Sequence, residues 1–198
     1  YPRVSSILSI IRDPDLEAWQ AHVGDKAAKA KARHTAHIGT TLDTLIKREL
    51  RGTTVCVPKS APSEIRQGWK AWQEYRQLYH DPFIVGVPLV SKVYGYAGEP
   101  DCHVSGEHPN ATRFIVADLK ATTRIREKFW IQMSAYVPLL WPEHFWPQVR
   151  LRVIRLDTFL GTCEVQERPF VRQVWETFMS LKKVYVDWFN TANKEDAH

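Results

Sequence analysis

At His80-Asp81-Pro82 the apolar residues of this chain change their period, and that switch limits the possible folds more than any other feature. Upstream, Leu16 to about Leu50 is rich in Ala and Lys and reads as helix. Asp13-Pro14-Asp15 supplies a helix start, and interruptions are expected near Gly24 and Gly39. Ser63 to about Tyr79 is a second helical stretch, with Trp69, Trp72 and Tyr75 at core spacing. Downstream the texture turns to β-branched and aromatic runs at Phe83 to Tyr94, Ala97 to Val104 and Thr112 to Leu119. The GEHPN segment (Gly106 to Asn110) has the composition of a hairpin connection. Arg124 to about Leu140 returns to helix, and Val149 to Leu156 with Thr162 to Gln166 forms a further strand pair. From Pro169 to about Asn190, Phe170, Val174, Phe178, Leu181, Tyr185 and Trp188 recur at three- and four-residue steps, the stripe of a helix packed on a core. Helices, three strands, helix, two strands, helix is the order of an α/β protein with a central sheet flanked by helices. It is not a doubly wound βαβ repeat.

A chain of 198 residues, 44% apolar, is long enough for one domain with a real core. We expect a single domain over residues 1–198, mainly helical over 1–82, with the sheet and the last helix in 83–198. The 27 Lys and Arg exceed the 22 Asp and Glu, a surplus compatible with a polyanionic partner but shared by many ordinary domains. Cys56, Cys102 and Cys163 are isolated and odd in number, which argues against a zinc knuckle or an iron–sulfur cluster and suits a reducing, intracellular setting. No apolar run approaches the roughly 20 residues of a membrane span. The chain begins at Tyr1 rather than Met, so its start says nothing about a leader.

Chemistry concentrates around the second and third strands. Pro100-Asp101 closes the second and Asp118-Leu119-Lys120 closes the third, so pairing through the GEHPN turn would bring two carboxylates and an ammonium to one edge of the sheet. Asp118 and Lys120 are two residues apart and point to one face of a strand. Two adjacent carboxylates repel, and a hard divalent cation relieves that by sharing their oxygens. Such a cation can polarise a phosphodiester and activate water, while the ammonium faces developing negative charge. A lone D-x-K is more often a solvated strand end; its company gives it meaning.

That company is a resemblance. Pro100-Asp101, 16 intervening residues and then Asp118-Leu119-Lys120 resembles the PD-(D/E)xK nuclease signature. Gln132-Met133-Ser134-Ala135-Tyr136 is similar to the Q-x-x-x-Y motif of the RecB-like branch. YPRVSSIL followed by LEAW, Gly39-Thr40-Thr41-Leu42-Asp43, and the YGYAGEPD segment are similar to segments of phage and mitochondrial-genome-maintenance exonucleases, in the same order. The resemblance implies a PD-(D/E)xK (restriction-endonuclease-like) core with a mixed sheet. It further implies a Mg²⁺- or Mn²⁺-dependent DNA exonuclease favouring single-stranded ends. On it, Asp101 and Asp118 are metal ligands with the Leu119 carbonyl, and Lys120 is the catalytic lysine. Gln132 and Tyr136 line the site, steadying Lys120 or the DNA backbone, and Ser5 and Ser6 contact phosphate or cap a helix. Two positions depart from the family: Asp43 stands where it usually has His, and Val87-Pro88-Leu89 stands where it often has a strand Glu. Asp43 becomes a ligand candidate, a harder donor than imidazole, and Glu99 a possible substitute for the missing acid. The departures leave open a DNA-binding module that has lost catalysis. A structure-specific or restriction-type endonuclease is open as well.

The other features have plainer readings. His22, His34, His37 and His103 read as surface histidines. Lys26, Lys29, Lys31 and Arg33 suit either phosphate contact or a solvated helix face. Trp141, Phe145 and Trp146 suit packing on the sheet better than stacking on a base. Cys102 should face away from Asp101 and has no catalytic part.

Overall fold

The computed structural model describes residues 1–12, 14–106 and 113–195. Asp13 and most of the GEHPN turn lie outside the described residues. The chain runs α1 (Val4–Leu8), α2 (Pro14–Val23), α3 (Asp25–Leu50) and α4 (Ser63–Tyr79), then short strands β1 (Ile84–Val85), β2 (Leu89–Ser91), β3 (Tyr96–Gly98) and β4 (Cys102–Val104), and the longer β5 (Phe114–Lys120). Next come α5 (Glu127–Leu140), a 3-10 turn (Glu143–Gln148), β6 (Val149–Leu156), β7 (Cys163–Pro169) and α6 (Arg172–Glu195). Among the described residues no helix is long and apolar enough to cross a membrane.

Five strands form one mixed sheet in the order β1-β4-β5-β6-β7, in which only β5 and β6 run parallel. A parallel neighbour requires a crossover, and α5 with the 3-10 turn supplies it. β5 is the middle strand and both its faces are covered, which is why its sequence FIVADLK reads as an almost unbroken apolar run. Alternation sends Phe114 and Val116 to a core shared with α1, α5 and α6. Ile115 and Ala117 join the opposite core, with Trp72 and Tyr75 of α4 and Ile46 of α3.

Three expectations need correction. Gly39 does not interrupt the Ala- and Lys-rich helix: α3 runs through it, carried by Ile38, Leu42 and Ile46 at four-residue steps on the buried face. The break falls at Gly24 alone, where φ is 81°. The two strands expected over 83–104 are four, because Pro88 and Pro100 cannot donate to a ladder; β2 and β3 split off as a separate hairpin resting on α1 and α5. On α6 the apolar stripe is buried through Phe178 and the unanticipated Trp175, while Trp188 is exposed. Trp141 and Trp146 are core residues, as packing on the sheet requires.

Candidate active site

Strand register brings the first two acids together. In the antiparallel pair, Cys102 lies opposite Ala117 and Val104 opposite Ile115, so continuing the register by one residue sets Asp101 opposite Asp118. Directly opposed residues share a face. The 16-residue spacing in the sequence is therefore the length of one hairpin. Asp101 immediately precedes β4 rather than closing a strand, and its Oδ2 accepts the Leu119 amide at 2.8 Å. That bond fastens the acid to the strand bearing the other one. It also defines the role of Leu119 seen here, which is an amide donor to Asp101.

Alternation then places Lys120 beside Asp118. The Lys120 ammonium donates to Asp118 Oδ1 at 2.9 Å and lies 2.8 Å from Oδ2. Only Oδ1 is aligned to accept a hydrogen bond; Oδ2 is buried without an aligned donor. The ammonium also sits 5.1 Å from the centre of the Phe129 ring on α5, so a cation–π contact steadies it from the other side. Asp118 is 1% exposed. Burial pushes its carboxyl up, Lys120 pulls it back, Asp101 raises it again, and the balance lies at about 7. Lys120 is also buried, which works against its charge, yet Asp118 and then Asp101 hold its pKa above the ordinary lysine value.

Two further acids, Asp43 on α3 and Glu99 just after β3, meet at one lysine. Asp43 Oδ2 is 3.1 Å from the Lys47 ammonium one helical turn on, and Glu99 Oε1 lies 3.6 Å from the same ammonium. Burial raises the Asp43 carboxyl, Asp101 raises it further, and Lys47 does not undo this. Burial likewise opposes the Lys47 charge, but Asp43, Asp101 and Glu99 together keep its pKa raised. Both partners shift upward, Asp43 chiefly through burial and Lys47 because it faces three carboxylates. Asp43 Oδ1 is buried with no hydrogen-bond partner. A cavity of about 250 Å³ opens between α3 and the end of β5, lined by Gly39, Asp43, Leu119, Lys120 and Thr122 among others.

Gln132 and Tyr136 lie one turn apart on α5, and the Gln132 amide donates to the Tyr136 hydroxyl at 3.0 Å. Gln132 thus steadies Tyr136, whereas Lys120 is steadied by Asp118 and Phe129. The Tyr136 ring presses on Gly98, where a Cβ would come within 2.7 Å of Cε1. Glycine is required there by close approach rather than by a special φ. Burial, then the fields of Asp118, Asp101 and Glu99, keep the Tyr136 phenol protonated. Ser5 and Ser6 lie on α1, whose Val4 touches the same Gly98; Ser5 is exposed and Ser6 half-buried.

Sequence reasoning missed Lys47 and Phe129. Lys47 was legible as the i+4 partner of Asp43 on a helix; Phe129 had no signal beyond being apolar. The histidines need one correction: His103 is half-buried, edge-on to Trp141, and burial lowers its pKa. His34 pairs with Glu64 at 3.0 Å. Cys102 is fully buried in the core across the sheet, and burial pushes its thiol well up.

Among the described residues no three His, Cys, Asp or Glu side chains are arranged to hold a metal ion. The donor set nevertheless suits a hard divalent cation. Two buried carboxylate oxygens, Asp43 Oδ1 and Asp118 Oδ2, lack aligned donors, and burial together with Asp101 raises the pKa of both acids. Both conditions are relieved by a bound cation.

No protein-family model matches the chain, and no curated protein matches it. Among solved structures it is similar to the one described as the crystal structure of SSO0001, with 12% identity, 95% of this chain and 75% of that chain covered, and a TM-score of 0.49.

Proposed function

We propose that this chain is a Mg²⁺- or Mn²⁺-dependent deoxyribonuclease with a PD-(D/E)xK core, an exonuclease favouring single-stranded ends. The observation that supports it most is the buried Asp118–Lys120 pair with Asp101 fastened opposite by the Leu119 amide. A structural ion pair has no need of a second carboxylate that raises the first. A cation site does.

Asp101 and Asp118 would hold the ion, with Asp43 as a further ligand and Glu99 at the rim. The bound ion would supply Lewis acidity and an acidified water for phosphodiester hydrolysis. The chain's own residues orient the reaction. Asp118 ionises as its proton is displaced, and Phe129 keeps the Lys120 ammonium aimed at the sheet end, where negative charge develops on the phosphate. Tyr136, locked by Gln132 and Gly98, walls the site on the α5 side. Along α3, Lys26, Lys29, Lys31 and Arg33 precede Asp43 on the same helix. At about 1.5 Å per residue they could meet a DNA backbone some 15–25 Å from the ion.

End-labelled single-stranded and duplex DNA incubated with Mn²⁺ tests this reading. Cleavage is expected, and Lys120→Met and Asp118→Asn should each abolish it with the fold intact by circular dichroism. Intact DNA across metals and pH would sink the proposal. Retained cleavage in both variants would show that the chemistry lies elsewhere. A circular single strand separates exonuclease from endonuclease, because only the latter can open it. A second reading has its own support: Asp43 and Asp118 are each already engaged by a lysine, as in a DNA-binding module without catalysis. Salt-sensitive binding with no metal-dependent turnover would select it.

A further inference from the structure

Resting on the cation-dependent reading above, we infer that Lys47 is a resident counter-cation of the site. It neutralises Asp43 and Glu99 until a divalent ion takes up the carboxylate cluster, and its released ammonium then binds a backbone phosphate of the substrate strand.

Three observations carry this. Lys47 contacts acids from two separate segments, Asp43 on its own helix and Glu99 just after β3, at 3.1 and 3.6 Å, and it also lies in the field of Asp101. An ordinary i,i+4 pair on a helix surface engages one partner and stands in solvent, whereas the Lys47 side chain is only 16% exposed. Second, Asp43 uses Oδ2 for Lys47 while its buried Oδ1 has no partner, so the carboxylate is half-occupied and Lys47 holds the occupied half. Third, the charge count fits. Asp43, Glu99, Asp101 and Asp118 face the ammoniums of Lys47 and Lys120. With all four acids ionised the cluster keeps two negative charges, the complement of one divalent ion, and without Lys47 it keeps three.

The consequence is an opposition of signs. Lys47 competes with the cation for Asp43, so its removal should tighten metal binding. The same ammonium, once released, faces an anionic backbone, so its removal should weaken DNA binding. A helix-stabilising ion pair predicts neither change. Lys47 lies outside the D-x-K pair itself, which leaves Asp118 and Lys120 undisturbed in the variant.

The experiment is calorimetric titration of Mn²⁺ alone into wild-type protein, Lys47→Met and Lys47→Arg. Binding of a labelled single-stranded oligonucleotide is then measured in Ca²⁺, with melting curves to verify folding. Lys47→Met should bind Mn²⁺ about ten-fold more tightly, the scale for one unit charge a few ångströms away in a half-screened site. It should bind DNA several-fold more weakly, and Lys47→Arg should stay near wild type in both. Unchanged or weaker Mn²⁺ binding by a folded Lys47→Met overturns the inference while leaving the cation reading intact. Absence of Mn²⁺ binding by wild type overturns both. Should the variants not fold, a Mn²⁺-soaked wild-type crystal decides: Lys47 Nζ must have left Asp43, and an unbroken Asp43–Lys47 contact beside a bound ion refutes the inference.

Discussion

On the function proposed above, cation binding at Asp118 would be a proton-coupled event, and the coupling has a size. Burial raises its carboxyl to about 7 in the fold, against 3.8 for an ordinary aspartate, which favours the protonated form near neutrality. Because an acid's pKa is raised, the folded state holds more protons than the unfolded state between 3.8 and about 7. This group's contribution to stability is therefore greatest below the unfolded value and is lost as pH rises toward 7. A cation accepts only the ionised carboxylate, so it must displace the proton wherever one is bound. At about pH 6 roughly nine-tenths of the molecules carry it, at about pH 8 roughly one-tenth, and apparent affinity should be about ten-fold weaker at the lower pH. Titration of Mn²⁺ in two buffers of different ionisation enthalpy reads the released protons directly. We expect close to one per ion at the lower pH and almost none at the higher. Mn²⁺ should also raise the melting temperature more at the higher pH, where Asp118 is charged and buried. Affinity that stays flat over this range, or no proton release at about pH 6, would refute the argument that burial and Asp101 together hold the Asp118 proton.

Gly98→Ala should cost about 1–3 kcal/mol by urea denaturation, because its Cβ would lie 2.7 Å from Tyr136 Cε1 and 2.9 Å from Val4 Cγ2; a loss near zero would mean that Tyr136 yields freely and walls nothing. Phe129→Leu removes the ring beneath the Lys120 ammonium and should lower kcat more than it raises KM; an unchanged kcat would show that Asp118 alone positions the lysine. On the far side of the sheet, Arg152 donates to Tyr75, Asp81 and Glu167 with only 3% of its side chain exposed. Arg152→Met leaves the buried Asp81 carboxylate, among the described residues, with only the Tyr75 hydroxyl and Arg113 at 4.0 Å and should cost about 3–5 kcal/mol, measured by chemical denaturation, with Mn²⁺ affinity preserved; a loss below about 1 kcal/mol would contradict the burial argument.

The sheet core and the D-x-K geometry were legible because both rest on period. β5 and β6 are long enough for alternation to act, and a two-residue step fixes Asp118 and Lys120 on one face whatever surrounds them. The hairpin spacing likewise fixes Asp101. Strands β1 to β4, of two or three residues each, are too short to carry a period, so the β2–β3 hairpin could not be separated from the main sheet by pattern. The contacts of the site were less legible than its members. Gln132 and Tyr136 were found by motif, yet their bond is to each other, and the groups that hold the two ammoniums in place come from helices packed on opposite faces of the sheet. Phe129 reaches Lys120 from α5, and Asp43 meets Lys47 along α3. Side-chain pairing across layers depends on how helices dock, which no local pattern records.

The position of Asp118 also explains why this centre carries two lysines. In a strand buried on both faces, every other residue from Phe114 to Ala117 is apolar, and the next position demands an apolar side chain on packing grounds. An aspartate there costs the fold the desolvation of its charge, and the opposing Asp101 adds repulsion. Lys120 offsets that at Asp118, and Lys47 does so at Asp43. Lys47 leaves Asp43 Oδ1 without a hydrogen-bond partner, and Lys120, within 2.9 Å of both Asp118 oxygens, is aligned to donate to Oδ1 alone. A protein selected for stability alone would fill these positions with apolar residues and lose nothing in the core. On the function proposed above, four acids and two ammoniums gathered from β5, α3 and the segment around Glu99 and Asp101 leave a net negative charge that a divalent ion would complement.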